Sequence, residues 1–353
     1  LTSTGLQTDS AVIADKIQNR RKSNHVGAIS SEPLSVGLNN ISAWVKAAPN
    51  QFEYDGSPGN FDNWKNFGSW IYNLNEGGNR LPEPTKAIVQ NLIKDAKTNK
   101  DKIRILYNYL QQNTRYVSVQ LGIGGFRPIL AEKVAQVNYG DCKALSNYMK
   151  ALLNEAGISS NLIVIGNDMP SLNKNYSSIG QANHMILCVP LEKDTTFLEC
   201  TSKYKPIGFV GYSNSNRDVL MVTAEGGKLV HTPIYSAKDN FQIRKTKFNL
   251  LEDGTAQVEL KSTYGNAQFE DSFPLTLMEP TELRKSILEH SKVPVAELAN
   301  IKYLQEDKNK PVLTEEINFK TTPLTTKGGD KLFLVLNQTN RKEERKSQRN
   351  NKN

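Results

Sequence analysis

Three residues of this chain have the types needed for nucleophilic acyl chemistry: Cys142, His184 and Glu199. Cys142 lies in NYGDCKALSNYMKALLNEAGI, directly after Gly140-Asp141, at the predicted first turn of a helix. A thiol attacks as its thiolate. An ordinary cysteine, with a pKa of about 8.5, needs help to ionise at neutral pH. A helix N-terminus supplies partial positive charge and unpaired N–H groups, and the same groups suit an oxyanion. A histidine within reach can hold the thiolate as an ion pair and shuttle its proton. A carboxylate then fixes that histidine's tautomer. Among His25, His184, His231 and His290, His184 opens a predicted strand after the Cys142 helix. Glu199 follows on the far arm of a predicted hairpin, so the turn brings the two onto neighbouring strands. The register itself stays open at this level, because a single bulge changes it. A lone cysteine also serves as a small buried hydrophobe, the competing reading for Cys142.

The elements that must position these residues are legible as periodic runs. Leu145, Met149, Leu152, Leu153 and Ala156 form one helical stripe, with Asp141 as the expected N-cap and Gly157 as the expected stop. Upstream, LPEPTKAIVQNLIKDAK predicts a helix with Ile88, Leu92 and Ala96 on one face. KIRILYNYLQQN predicts a second, with Ile103, Leu106 and Leu110 inward. RYVSVQ alternates as a short strand, and GIGGFRP reads as a loop. That loop is not a phosphate loop, since no GKS or GKT follows. NLIVIG, NHMILCVPL and TTFLECT read as strands, the last two joined by a turn at EKD.

From about Asp239 the pattern changes. FQIRKTKFNLL and TAQVELKSTY flank EDG, a hairpin signal. Ala256, Val258 and Leu260 alternate with Gln257, Glu259 and Lys261, which predicts a sheet with one solvated face. A helix at PTELRKSILEH and strands at EEINFK and KLFLVLN follow. Between Ile41 and Leu81 aromatics cluster, among them Trp44, Trp64, Phe67 and Trp70, and read as a hydrophobic wrap over a neighbouring core.

The composition is ordinary for a globular protein: 353 residues, 38% hydrophobic and 23% charged. No window approaches the length of a membrane-spanning helix. Half of the net charge of +8 sits in the last thirteen residues, RKEERKSQRNNKN, which carry six Lys or Arg and two Glu. Such a run reads as a solvated, disordered tail. No recognisable nucleic-acid module accompanies it, so no nucleic-acid partner is expected. The chain begins at Leu1 without a leader and reads as a mature or excised fragment. With no CxxC and no Cys/His pairing at zinc spacing, no structural metal site is expected.

NYGDCKALSNYMKALLNEAGI, ANHMILCVP and TTFLECTSKYKPIGF, with RYVSVQLGIGGFRP ahead of them, together resemble the transglutaminase-like superfamily, and more closely a bacterial subgroup with flanking domains of unknown function. The resemblance spans roughly residues 80 to 235. It implies an α+β fold: a papain-like core of helices packed on an antiparallel sheet, then a β-rich C-terminal domain. It implies Cys142 as nucleophile, His184 as base and Glu199 at the carboxylate position. The chain departs from the family pattern where Glu199-Cys200-Thr201 replaces Asp-Pro-Thr, and where Ala144 replaces an acidic residue after GDCK.

The organisation expected is a tail of a truncated β domain or a loose arm over 1–40, and an aromatic connecting segment over 41–80. The transglutaminase-like core follows over 81–237, a β-rich domain over 238–340 and a basic tail over 341–353. The expected activity is attack on a peptide or carboxamide bond through a thioester, ending in hydrolysis or transfer to an amine. A protein or peptide substrate is implied, no cofactor or metal is needed, and the resemblance implies a periplasmic or otherwise exported protein. The alternative is a catalytically retired fold serving as a protein- or glycan-binding scaffold. Gln120 is a candidate oxyanion donor, although a loop glutamine without a partner is the simpler reading, and Arg127-Pro128 anchors its loop. Cys188 and Cys200 are expected as core thiols, or as a cross-strand disulfide if the register sets them opposite.

Overall fold

The computed structural model describes residues 7–13, 16–22, 45–119, 121–192 and 194–339. Gln120, His25 and the basic run 341–353 lie outside the described residues. The chain divides into two units, Leu1–Asn50 with Lys342–Asn353, and Gln51–Arg341. In the first unit, β1 (Gln7–Ile13) and β2 (Lys16–Lys22) form an antiparallel pair running from Gln7↔Lys22 to Ile13↔Lys16.

The second unit opens with a hairpin of β3 (Gln51–Tyr54) and β4 (Ser57–Asn60), then α1 (Trp64–Leu74), α2 (Glu83–Ile93) and α3 (Asn99–Asn113). After β5 (Arg115–Tyr116), α4 (Ala131–Val137) and β6 (Tyr139–Gly140) comes α5 (Cys142–Glu155). Strands β7 (Asn161–Ile165), β8 (His184–Pro190), β9 (Thr195–Leu198), β10 (Asp218–Thr223) and β11 (Gly226–His231) form an antiparallel sheet in the order β11-β10-β7-β8-β9. The fold is α+β.

Period two explains why β7 and β8 read as unbroken apolar runs. Leu162, Val164, Met185 and Leu187 join the helices in one core, while Ile163, Ile165, Ile186 and Cys188 form a second cluster on the opposite face. Both faces are covered, so neither needs polar residues. On the helix side, Leu145, Met149, Leu152 and Leu153 are all buried, as the stripe predicts. Each such side chain contributes roughly 1.5–3 kcal/mol of hydrophobic stabilisation. Trp64, Phe67 and Trp70 of α1 lie in the same core, with Trp70 stacked over Phe67 at 5.9 Å. The described aromatics do wrap the core, while Trp44 lies outside the described residues.

Three expectations change. In α2 the buried residues are Thr85, Val89 and Ile93, one position round from the stripe of Ile88, Leu92 and Ala96, and Ile88 is exposed. The two stripes are adjacent on the helix, and packing selected the one carrying Val89. In α3 the buried set includes Tyr107 as well as Ile103, Leu106 and Leu110. RYVSVQ forms only a two-residue parallel pairing with Tyr139–Gly140, extended by one hydrogen bond from Val117 to Gly140.

The C-terminal module is a sheet of β12 (Gln242–Leu250), β13 (Ala256–Gly265), β14 (Val295–Leu304) and β15 (Val312–Thr321), in the order β12-β13-β15-β14. Between β13 and β14 lie α6 (Ala267–Ser272) and α7 (Pro280–His290), and a small hairpin, β16 (Thr325–Gly328) and β17 (Lys331–Leu334), ends the described chain. Val258, Leu260, Ile317 and Phe319 are buried on one face, while Gln257, Glu259 and Lys261 are exposed on the other. The alternation predicted for β13 holds. Among the described residues no helix is long and apolar enough to cross a membrane.

Candidate functional site

Cys142 is the first residue of α5. Asp141 caps this helix, its Oδ1 accepting from the Ala144 N–H at 3.0 Å, and its Oδ2 pairs with Lys143 Nζ. The cap leaves the first-turn amide of Cys142 without an intrahelical acceptor. Gly140 is required by close approach: a Cβ there would sit 2.6 Å from the Ala144 Cβ. The glycine of Gly140-Asp141-Cys142 therefore lets the chain turn tightly into the helix and set the thiol at its start.

His184 is the first residue of β8, and Ser146 of α5 donates to the carbonyl of its neighbour Met185 at 3.1 Å. That bond fixes the helix start against the strand start. Glu199 lies one residue beyond β9, not within it. In the β8–β9 ladder Leu187 faces Leu198 and Cys188 faces Phe197. His184 and Glu199 lie just past the paired residues of this ladder, where their side chains meet. His184 Nε2 stands 3.0 Å from Glu199 Oε2 and 3.2 Å from Oε1. The ring's other nitrogen, Nδ1, is not engaged by Glu199, and His184 lines the same cleft as Cys142. The structure thus brings all three predicted residues together, and the longer glutamate still reaches the imidazole.

Electrostatics follow from this sandwich. Burial alone would lower the His184 pKa; the Glu199 charge, the nearby Cys142 and the Glu199 hydrogen bond outweigh it and hold the pKa at about 10. Burial likewise opposes ionisation of Glu199, which is 2% exposed. The His184 charge and hydrogen bond, the Lys205 charge and a Thr201 hydrogen bond reverse that and keep the carboxyl below its ordinary value. The pair is an imidazolium–carboxylate, with the carboxylate buried and the imidazole edge reaching the cleft.

Several residues that sequence reasoning passed over complete the site. Glu199 Oε1 accepts from the Thr201 hydroxyl at 2.6 Å and the Thr201 N–H at 3.2 Å, and Oε2 accepts from Asn214 Nδ2 at 2.9 Å. Tyr107 of α3 donates to the carbonyls of Glu199 at 2.9 Å and Lys205 at 3.2 Å. A tyrosine on a buried helical face was a weak signal for Tyr107; Asn214, in a polar loop, carried none.

Cys188 and Cys200 are free, buried thiols. Cys188 faces Phe197, three residues from Cys200, so the odd offset sends the two to opposite faces and into different clusters. A cross-strand disulfide is excluded by parity. Burial raises the Cys188 pKa to about 12, and burial and the Glu199 charge raise that of Cys200 further. The other described histidines stand elsewhere: His231 bonds Asp218 and Asn216, and His290 bonds the Ser286 carbonyl of its own helix. Among the described residues no group of three His, Cys, Asp or Glu side chains is placed to hold a metal ion.

Cys142 and His184 open onto a cleft of about 360 Å³, walled by Tyr54, Ile71, Tyr116, Phe126, Val164 and Ile179. A second cavity of about 400 Å³ lies in the C-terminal module, lined by Leu260, Ile287, Ile317 and Phe319 with Arg244, Tyr264 and Glu315. There the Tyr264 and Tyr303 hydroxyls cap Glu315 at 2.8 Å each, and no cysteine lines it.

Residues 86–191 match the transglutaminase-like superfamily. The match takes in Cys142 and His184 and ends before Glu199. No curated protein matches the chain. The crystal structure of a "putative protease" from Parabacteroides distasonis is similar at a TM-score of 0.43 and 11% identity, covering 91% of this chain and 63% of that one. At that score the likeness carries no argument about the site. The similarity to the transglutaminase-like superfamily covers the helix that starts at Cys142 and the strands packed against it.

Proposed function

We propose that this chain is a cysteine acyl-transfer enzyme acting on a peptide or carboxamide bond, with Cys142 as nucleophile, His184 as acid and base, and Glu199 orienting His184. The observation that supports it most is that Cys142, at its helix start, and His184, held by Glu199 at 3.0 Å, line one cleft. Cys142 Sγ attacks the carbonyl carbon, a C–S bond forms and the carbonyl electron pair moves to oxygen. The N–H groups of the first turn of α5 stabilise that oxyanion. Collapse breaks the C–N bond while His184 protonates the departing amine. Water or a second amine then attacks the thioester carbonyl and gives its proton to His184, and the C–S bond breaks to release the Cys142 thiolate. Hydrolysis and transfer use the same residues and differ only in what enters the cleft.

The test is the alkylation rate of Cys142 against pH, with peptide mapping to separate it from Cys188 and Cys200. An activated thiolate–imidazolium pair labels fast well below pH 8 and slows in His184→Ala. Slow labelling that rises only near pH 8.5, about the ordinary thiol value, and ignores His184 would overturn the proposal in favour of a binding scaffold.

A further inference from the structure

Behind Glu199 the polar contacts continue through the loop 205–214 to the C-terminal module. Glu270 of α6 forms an ion pair with Lys205, Oε1 to Nζ at 2.7 Å, the two side chains 13% and 10% exposed. Its other oxygen accepts from the Tyr212 N–H at 2.9 Å. Lys205 Nζ also donates to the Val210 carbonyl at 3.4 Å, and that carbonyl accepts from Asn214 at 3.3 Å. Asn214 in turn holds Glu199. Gly211 marks how tightly this is built: its φ is +83°, and a Cβ there would collide with Lys205 Nζ and Glu270 Oε1.

Apolar contacts close the same joint. Tyr204 stacks on Phe273 at 4.6 Å, and Phe209 packs edge-on against Phe269 at 6.2 Å. Phe209, Phe269 and Leu313 form a buried cluster shared by the loop and the module. A buried ion pair is a poor way to gain stability, because desolvation offsets its attraction. Aromatic packing already joins the two parts, so the charge of Glu270 calls for another role.

We propose that Glu270 is a positioning residue for the Cys142 site: it fixes Lys205 and the loop 205–214, and through Asn214 holds Glu199 against His184. This rests on the acyl-transfer reading above for its catalytic meaning, but the linkage itself concerns only His184. The C-terminal module is then a working part of the site. The groups facing His184 and Glu199 are Cys142, Tyr107, Cys200 and Lys205, with the Asp141–Lys143 pair at the helix start.

The experiment is an NMR titration of the His184 imidazole in the whole chain, assigned with His184→Ala among the four histidines. Glu270→Gln keeps the shape and the acceptor for Tyr212 but removes the charge. The expected result is a His184 midpoint lower by about half a unit or more, roughly threefold in proton affinity. Lys205→Met shifts it similarly, and adding Glu270→Gln to Lys205→Met moves it no further, as two residues on one path are non-additive. Glu316→Gln, an exposed member of an ion pair with Lys261, leaves it in place. An unmoved midpoint in a folded Glu270→Gln protein, or fully additive shifts, would overturn the proposal. If the midpoint falls while wild-type Cys142 labels only near pH 8.5, the linkage stands and the enzyme reading fails. If Cys142 is activated but the midpoint ignores Glu270, the reverse holds.

Discussion

Replacing Glu199 by Gln removes one charge from a buried pair and changes little in shape. In the wild type His184 is held at about 10 against an ordinary 6.5. That gap corresponds to about 5 kcal/mol favouring the protonated folded state, at 1.36 kcal/mol per unit, taken as an order of magnitude for the whole sandwich. Because the folded value is the higher one, this stabilisation is complete below pH 6.5 and is lost as pH rises towards 10. Glu199 is shifted the other way, so its share is present above the ordinary carboxyl value of 4.5 and is lost as pH falls through its lower folded value. The wild type should therefore be most stable between about pH 4.5 and 6.5 with respect to this pair. Without the carboxylate, burial governs His184 and pushes its pKa below 6.5. Urea unfolding between pH 6.5 and 9.5 should then show the wild type losing about 3–4 kcal/mol that Glu199→Gln does not lose. Parallel stability profiles for the two proteins, or a His184 midpoint that stays near 10 in the variant, would refute the reasoning.

Asn214→Ala removes one donor to a buried carboxylate and should cost roughly 1–3 kcal/mol in urea unfolding; it should also lower Cys142 labelling at pH 6 relative to pH 9. Tyr107→Phe deletes the hydroxyl that bridges the Glu199 and Lys205 carbonyls, with a similar cost in the same assay. Gly211→Ala places a Cβ at φ +83° against Lys205 and Glu270; destabilisation of at least about 1 kcal/mol is expected, and an unchanged unfolding midpoint would contradict the packing described. Cys188, with its pKa raised to about 12, should resist alkylation in the native protein up to pH 10, read by peptide mapping.

The reach of the sequence ended where contacts between distant segments began. Gly140-Asp141-Cys142 before the Leu145–Ala156 stripe was readable because a cap, a tight turn and a helical period are all local. The alternation of Val258, Leu260 and their exposed neighbours was readable for the same reason: side-chain direction in a strand depends only on parity. Parity also decides that Cys188 and Cys200 diverge, but only once the pairing of Cys188 with Phe197 is known. The buried face of α2 could not be chosen from its own residues, because two adjacent stripes each carried apolar residues and the neighbouring core selected the one with Val89 and Ile93. Likewise Asn214, Lys205 and Glu270 sit in segments with no local signal, and gain meaning only because the tertiary fold desolvates Glu199. A buried carboxylate must find donors wherever the chain can deliver them. Residue types and local period determined the chemistry available to this protein; packing of remote loops decided the charge state in which that chemistry is held.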